Sequence, residues 1–288
     1  MKDRNSEDFY LKNWTLLVKL LRVDKTNCIH HGYYEKGIRT HIQSVLNMND
    51  FIARLLEINS NDKQTKKILD AGCGIGGTAI YLAKKYSHIN FIGITNVSKH
   101  IEMAKILAKE NNVIFNTDFI LKDFIKTGFP SNQFDAIYLL ESSCYAFNKN
   151  ILLHEMYRIL KPGGVLVIID VFLTNVKFNP FLKIIYIWFC KGWGLKNLIK
   201  LVKFSDSLTT EGFQNIETID LTKNVMRTIL RGDIISIPYL FSTIINKIIQ
   251  GKNYQIEKDS NFLAIVPVLT SILGIKKAIS YNAITAIK

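Results

Sequence analysis

Proline and cysteine are scarce in this chain, five and four among 288 residues, and each scarcity removes a class of protein. Few prolines beside 48% apolar residues exclude a proline-rich disordered chain and leave enough apolar material for a sizeable core. Cys28, Cys73, Cys144 and Cys190 are widely spaced with no C-x-x-C pair, which argues against a zinc site or a disulfide framework and fits a reduced, cytoplasmic setting. The N-terminal MKDRNSEDFY lacks the apolar stretch of a secretory signal. The longest apolar run, FLKIIYIWFC (181–190), contains Lys183 and is too short to span a bilayer. Acidic residues are also in deficit. Lys+Arg 37 against Asp+Glu 24 leaves +13, which points to an anionic partner: a phosphate-bearing substrate, a membrane surface touched peripherally, or nucleic acid. The plain alternative is a basic protein with a solvated lysine face, and composition leaves oligomeric state open.

What is present is an alternation of buried-strand and helix patterns, the signature of a doubly wound parallel sheet. KKILDAG (66–72), NFIGIT (90–95), NTDFILKD (116–123), FDAIYLLES (134–142) and GGVLVIID (163–170) read as strands. Helices are expected over 77–86, 98–110 and 151–160, the second with apolar Ile101, Ala104 and Leu107 at helical spacing. One α/β domain is predicted. Residues 1–65 form an N-terminal helical flap, 66–170 the cofactor-binding core, 171–211 and 223–278 helical cover, and 212–222 and 279–288 edge strands. From Val171 to Ser205 there are six lysines and no acidic residue, interleaved with Phe and Trp.

Glycines at 72, 74, 76 and 77 between a strand and a helix let the backbone approach a ligand and present N–H groups at a positive helix end. The same loop serves dinucleotide enzymes. Three details favour another ligand. Asp70 lies two residues before the first glycine, where a carboxylate can meet the ammonium of an amino-acid ligand. GITNVSKH replaces the acidic residue that dinucleotide sites carry after the second strand. Asp123, with Phe124 beside it, follows the third strand, as adenine recognition by one carboxylate and one backbone N–H requires.

The run DAGCGIGG (70–77) resembles motif I of class I S-adenosylmethionine-dependent methyltransferases, and LKPGG (160–164) is also similar to that superfamily. IHHGYYEKG (29–37), GIT after the second strand and ESSCY (141–145) after the fourth resemble its small-molecule branch of tocopherol, sterol and isoprenoid methyltransferases. The chain departs from that branch at Asn96-Val97 and at His100. The resemblance implies a Rossmann-like, seven-stranded, mostly parallel sheet with an antiparallel edge. It also implies S-adenosylmethionine held by Asp70, Gly72, Cys73, Gly74 and Gly76 at its amino-acid end. Thr95, Asn96 and His100 would lie near the ribose, Asp123 and Phe124 at adenine, and Tyr33 over the methyl donor.

Methyl transfer from a sulfonium is an in-line displacement in which positioning supplies much of the rate. Glu141 at the carboxyl end of the fourth strand can stabilise positive charge and accept a proton, as the Glu of the similar prenyl diphosphate C-methyltransferase pattern does; the alternative is that it orders the loop. Tyr34 and His30 complete the candidate catalytic set, with packing as their alternative role. The Val171–Ser205 segment either lines an apolar pocket while its lysines meet a diphosphate or anionic lipid, or is a cover with a solvated face. A diphosphate acceptor would bring Mg²⁺; no protein metal site is expected. The predicted acceptor is a small hydrophobic molecule, an isoprenoid first, with a quinol, sterol or other secondary metabolite as alternative. ESSCY stands where base-amino methyltransferases carry N/D-P-P-F/Y, so nucleic acid is not the expected partner. A catalytically silent cofactor-binding protein is the remaining class.

Overall fold

The computed structural model describes Val18 and residues 21–58, 66–251 and 262–288. Residues 1–17, 19–20 and 59–65 of the expected flap therefore lie outside the described residues. Seven strands form one sheet: β1 Lys67–Ala71, β2 Asn90–Thr95, β3 Thr117–Leu121, β4 Phe134–Leu140, β5 Leu160–Leu173, β6 Gln214–Asp220 and β7 Ile279–Ile287. Their order is β3-β2-β1-β4-β5-β7-β6, parallel except where β7 runs antiparallel to both neighbours. The helices are α1 Val23–Thr26, α2 His41–Leu55, α3 Gly77–Lys85, α4 Ser98–Glu110, α5 Lys149–Ile159, α6 Pro180–Gly192, α7 Leu201–Glu211, α8 Thr222–Gln250 and α9 Phe262–Ile275.

Strand alternation divides the core in two. Ile68, Phe91, Phe119, Tyr138, Val167 and Ile169 face α2, α3 and α4, where Met48, Ile52, Leu82 and Ala104 are buried. Leu69, Ile92, Ile137, Leu139 and Ile168 face the other way, onto Leu152 and Met156 of α5 and Phe204 and Leu208 of α7. A third cluster joins α6 and α9 through Leu182, Phe189, Val266 and Leu273, with Leu21, Ile75 and Ile279 beneath.

Two boundaries differ from the sequence pattern. β5 runs three residues past Asp170, because β7 pairs with it as far as Leu173↔Ile279. The predicted cover over 171–211 is also too long. Phe204 and Leu208 are fully buried against the sheet layer, so α7 is a flanking helix and the cover on this side is α6 with its adjoining turns.

Strand order reverses between β1 and β4, so their carboxyl ends part and open a crevice, the place where α/β sheets bind ligands. The glycine loop follows β1, Glu141 follows β4, and the antiparallel β7 brings Tyr281 to the same edge opposite Val171.

Candidate active site

The glycine loop is built on close approach. Gly72 has φ +101, and a Cβ there would overlap Ser142 in the turn after β4. A Cβ on Gly77, the first residue of α3, would collide with the Asn27 carbonyl. These two glycines therefore seat the turn after β4 and the chain entering from α1 directly against the loop. Cys73 hangs back on the Gly74 carbonyl at 3.5 Å, and burial pushes its thiol pKa well up, so it stands here as a neutral small side chain.

Asp70 is buried, and the Tyr138 hydroxyl donates to its Oδ2 at 2.7 Å. The two residues are register partners on β1 and β4, and the contact follows from that pairing. Burial raises the Asp70 pKa to about 7, against the pull of the Tyr138 hydrogen bond and of His30. Thr95 and His100 are buried at the end of β2 and the start of α4, and Thr95 Oγ1 accepts from Val97 N at 3.3 Å. Asn96 between them is exposed. Asp123 is exposed past β3, its Oδ1 accepting from Ile125 N at 3.0 Å, with Phe124 half-buried beside it. A carboxylate, a glycine cradle and exposed polar groups thus stand in sequence along the carboxyl ends of β1, β2 and β3. This donor set fits an adenosyl amino acid stretched across them.

Beyond the loop lies a cavity of about 890 Å³ including its open mouth. Its apolar wall includes Ile29, Phe189, Trp193, Val225, Ile229 and Ile279; its polar face carries Glu141, Asp170, His31 and Tyr281. Glu141 sits at φ +51, a left-handed conformation that costs a non-glycine residue roughly 1–3 kcal/mol. The turn holding it is pinned on both sides. Asp170 Oδ2 accepts from the Ser143 hydroxyl at 2.6 Å and from Cys144 N at 2.8 Å. Lys149 Nζ caps the carbonyls of Ser143, Cys144 and Ala146.

Three donors converge on one oxygen of Glu141. His31 N and His31 Nδ1 each lie 2.8 Å from Oε1, and the Tyr281 hydroxyl lies 2.5 Å from it. Among the described residues no donor meets Oε2, which remains for a molecule in the cavity. Burial works to raise the Glu141 pKa, but the His31 charge and these hydrogen bonds prevail and lower it to about 2. The group is a carboxylate at neutral pH.

The other candidates lie behind this arrangement. His30 is buried, with Nε2 3.0 Å from Asn49 Oδ1 and Nδ1 2.9 Å from the His31 carbonyl. Two acceptors favour the doubly protonated ring: although burial pushes its pKa down, Cys28, Glu141 and the His31 carbonyl raise it to about 9. Tyr33 stacks on Phe51 at 4.5 Å, and Arg227 lies 4.4 Å over the ring of Tyr34. His30, Tyr33 and Tyr34 do not line the cavity. The rings that line it include Trp193 and Tyr281, which meet His31 edge-on at 6.4 and 5.8 Å. Of the segment 171–205, Val171, Phe189, Trp193 and Leu195 reach the cavity wall, whereas no lysine does.

Residues 69–168 match the profile of the methyltransferase domain family. This part of the chain is a methyltransferase domain. Outside it, similarity extends further: a sterol 24-C-methyltransferase of Kluyveromyces lactis is 29% identical over 219 residues, 75% of this chain and 54% of its own. A protein of Oryza sativa subsp. japonica named "probable tocopherol O-methyltransferase, chloroplastic" is 27% identical over 212 residues, 68% of this chain and 57% of its own. The chain thus spans about half the length of these sequence relatives. In fold, a geranyl diphosphate methyltransferase solved with GPP and sinefungin superposes with a TM-score of 0.74 at 15% identity, covering 98% of this chain and 99% of the other. The methyltransferase domain supplies the glycine loop, Asp123 and Glu141. His31 and Tyr281, which hold Glu141, come from outside its matched range.

Proposed function

We propose that the chain transfers the methyl group of S-adenosylmethionine to a carbon of an uncharged, isoprenoid-like alkene seated in the Glu141 cavity. Carrying this reading is one observation: a carboxylate held through Oε1 by three donors, with Oε2 free for the occupant of a chamber that is walled mainly by apolar residues and has no lysine or arginine. The cofactor, when bound, supplies an electrophilic methyl on a sulfonium, with a neutral thioether as leaving group.

We assign Asp70 and the glycine loop to its amino-acid end, Asn96 to the ribose, with Thr95 and His100 behind it, and Asp123 with Phe124 to adenine. The alkene π pair would form the new carbon–carbon bond as the sulfur–methyl bond breaks, leaving a cationic carbon in the chamber that Trp193 and Tyr281 line. Glu141 Oε2 faces that cation and accepts the proton lost from the adjacent carbon, whose C–H electrons form the new double bond. A carboxylate with a pKa of about 2 is a weak base, which suffices because a carbocation's neighbouring proton is strongly acidic.

A prenyl diphosphate with Mg²⁺ fits this chamber less well. No lysine or arginine lines it to meet the phosphates. A nucleic-acid substrate is likewise disfavoured by the apolar wall. The variant Glu141→Gln tests the role of the carboxylate. It is expected to bind S-adenosylmethionine as the wild type does and to lose turnover by about a hundredfold or more. Wild-type turnover in this variant would remove Glu141 as the proton acceptor.

A further inference from the structure

The cover helices carry apolar side chains on the face turned away from the cavity. On α8, Leu230, Ile234, Ile237, Phe241, Ile245 and Ile248 recur at three- and four-residue spacing, and each is between 45% and 75% exposed. On α6, Phe181, Ile184 and Ile187 recur at three-residue spacing and are 43–56% exposed. An apolar stripe running the length of a helix in water is costly, and on a monomer a patch of this kind marks a contact surface.

Charge identifies what it contacts. Across 174–200, 222–250 and 262–277 the sequence has eleven Lys and Arg residues and a single acid, Asp233. That acid accepts a hydrogen bond from Ser271 and adds no exposed negative patch. Lys177, Lys183 and Lys191 flank the α6 stripe and are exposed. Among the described residues no helix is long and apolar enough to cross a membrane. An exposed apolar stripe bordered by cations on helices that do not span is the pattern of an element lying in a lipid headgroup region.

We infer that the outer face of α6 and α8 docks on an anionic lipid surface. The inner residues of these helices and of α9, Phe189, Val225, Ile229 and Thr270, are cavity wall, so the docked face and the chamber are two sides of one thin layer. An apolar molecule dissolved in the bilayer would thereby reach Glu141 with little exposure to water. The inference goes beyond the proposed chemistry and does not depend on the acceptor's identity.

Flotation of the full chain with vesicles of phosphatidylcholine, alone or mixed with phosphatidylserine, tests it. Binding to the mixed vesicles that weakens as salt is raised is expected. The triple variant Ile234→Glu, Phe241→Glu, Ile248→Glu should lose at least about tenfold in partitioning while keeping its S-adenosylmethionine affinity and thermal transition. Phe241→Trp, which preserves the apolar face, should be quenched by lipids brominated on their acyl chains. Equal flotation of wild type and triple variant, or an unquenched Trp at 241, overturns the inference. So does a wild-type dimer that ignores vesicles and dissociates in the triple variant, which would make a second copy the occupant.

Discussion

The Tyr281 hydroxyl donates to Glu141 Oε1 at 2.5 Å across 140 residues of chain. Tyr281 can do so because β7 runs antiparallel beside β5, which places it opposite Val171 at the carboxyl edge where β4 delivers Glu141. Removing that hydroxyl leaves Glu141 with His31 alone. Tyr281→Phe is expected to lower turnover by roughly tenfold, about one charged hydrogen bond, with cofactor affinity unchanged. Steady-state kinetics beside calorimetric binding checks this. Unaltered turnover would mean the hydroxyl only fills space.

Because the folded pKa of Glu141 is about 2, against 4.5 for the free group, its ionisation favours the folded state. That contribution is fully present above about pH 4.5 and is lost as the pH falls through about 2. Denaturant midpoints measured across this window should therefore show the wild type losing its margin over Glu141→Gln as acid is added. Parallel curves would contradict the lowered pKa of Glu141.

Asp70 works in the opposite sense. Its folded pKa of about 7 lies above the usual 3.8, so the protonated form is favoured and stability declines as pH rises between those values. A cationic ammonium beside it must draw out the proton. Calorimetry of S-adenosylmethionine binding just below pH 7, in buffers of different ionisation enthalpy, should report release of up to about one proton. Asp70→Asn should abolish the release; persistence in that variant would locate the proton elsewhere.

Much of this was legible in the sequence, and the reasons are physical. The glycine loop, Asp123 and Glu141 are short-range features that sit where a strand ends, and strand ends are visible from hydrophobic pattern. Tyr281 is not, because only the pairing of β7 with β5 brings it to Glu141. His31 carried the expected residue type but stood beside His30, and which neighbour faces the cavity depends on how the chain enters α2. The lysines of 171–205 left two readings open for a related reason. Lys183 and Lys191 are exposed on α6 and Lys203 on α7, and composition does not tell the inner face of a cover from its outer one. One signal was available for α7: Phe204 and Leu208 are four residues apart and share a helix face.

That burial gives a stability test. Phe204 is fully buried with Phe172 at 5.2 Å between ring centroids, so Phe204→Ala is expected to cost about 3–5 kcal/mol in a denaturant titration. A loss below about 1 kcal/mol would fit a peripheral cover helix instead of a flanking helix of the sheet.

The most direct test of the account is mass spectrometry of purified protein incubated with S-adenosylmethionine and matched acceptors. These are neutral isoprenoid alkenes and sterols on one side, and geranyl and farnesyl diphosphate with Mg²⁺ on the other. One added methyl on carbon of a neutral acceptor is expected, absent with Glu141→Gln. Methylation confined to the diphosphates, or product from Glu141→Gln at the wild-type rate, would contradict it.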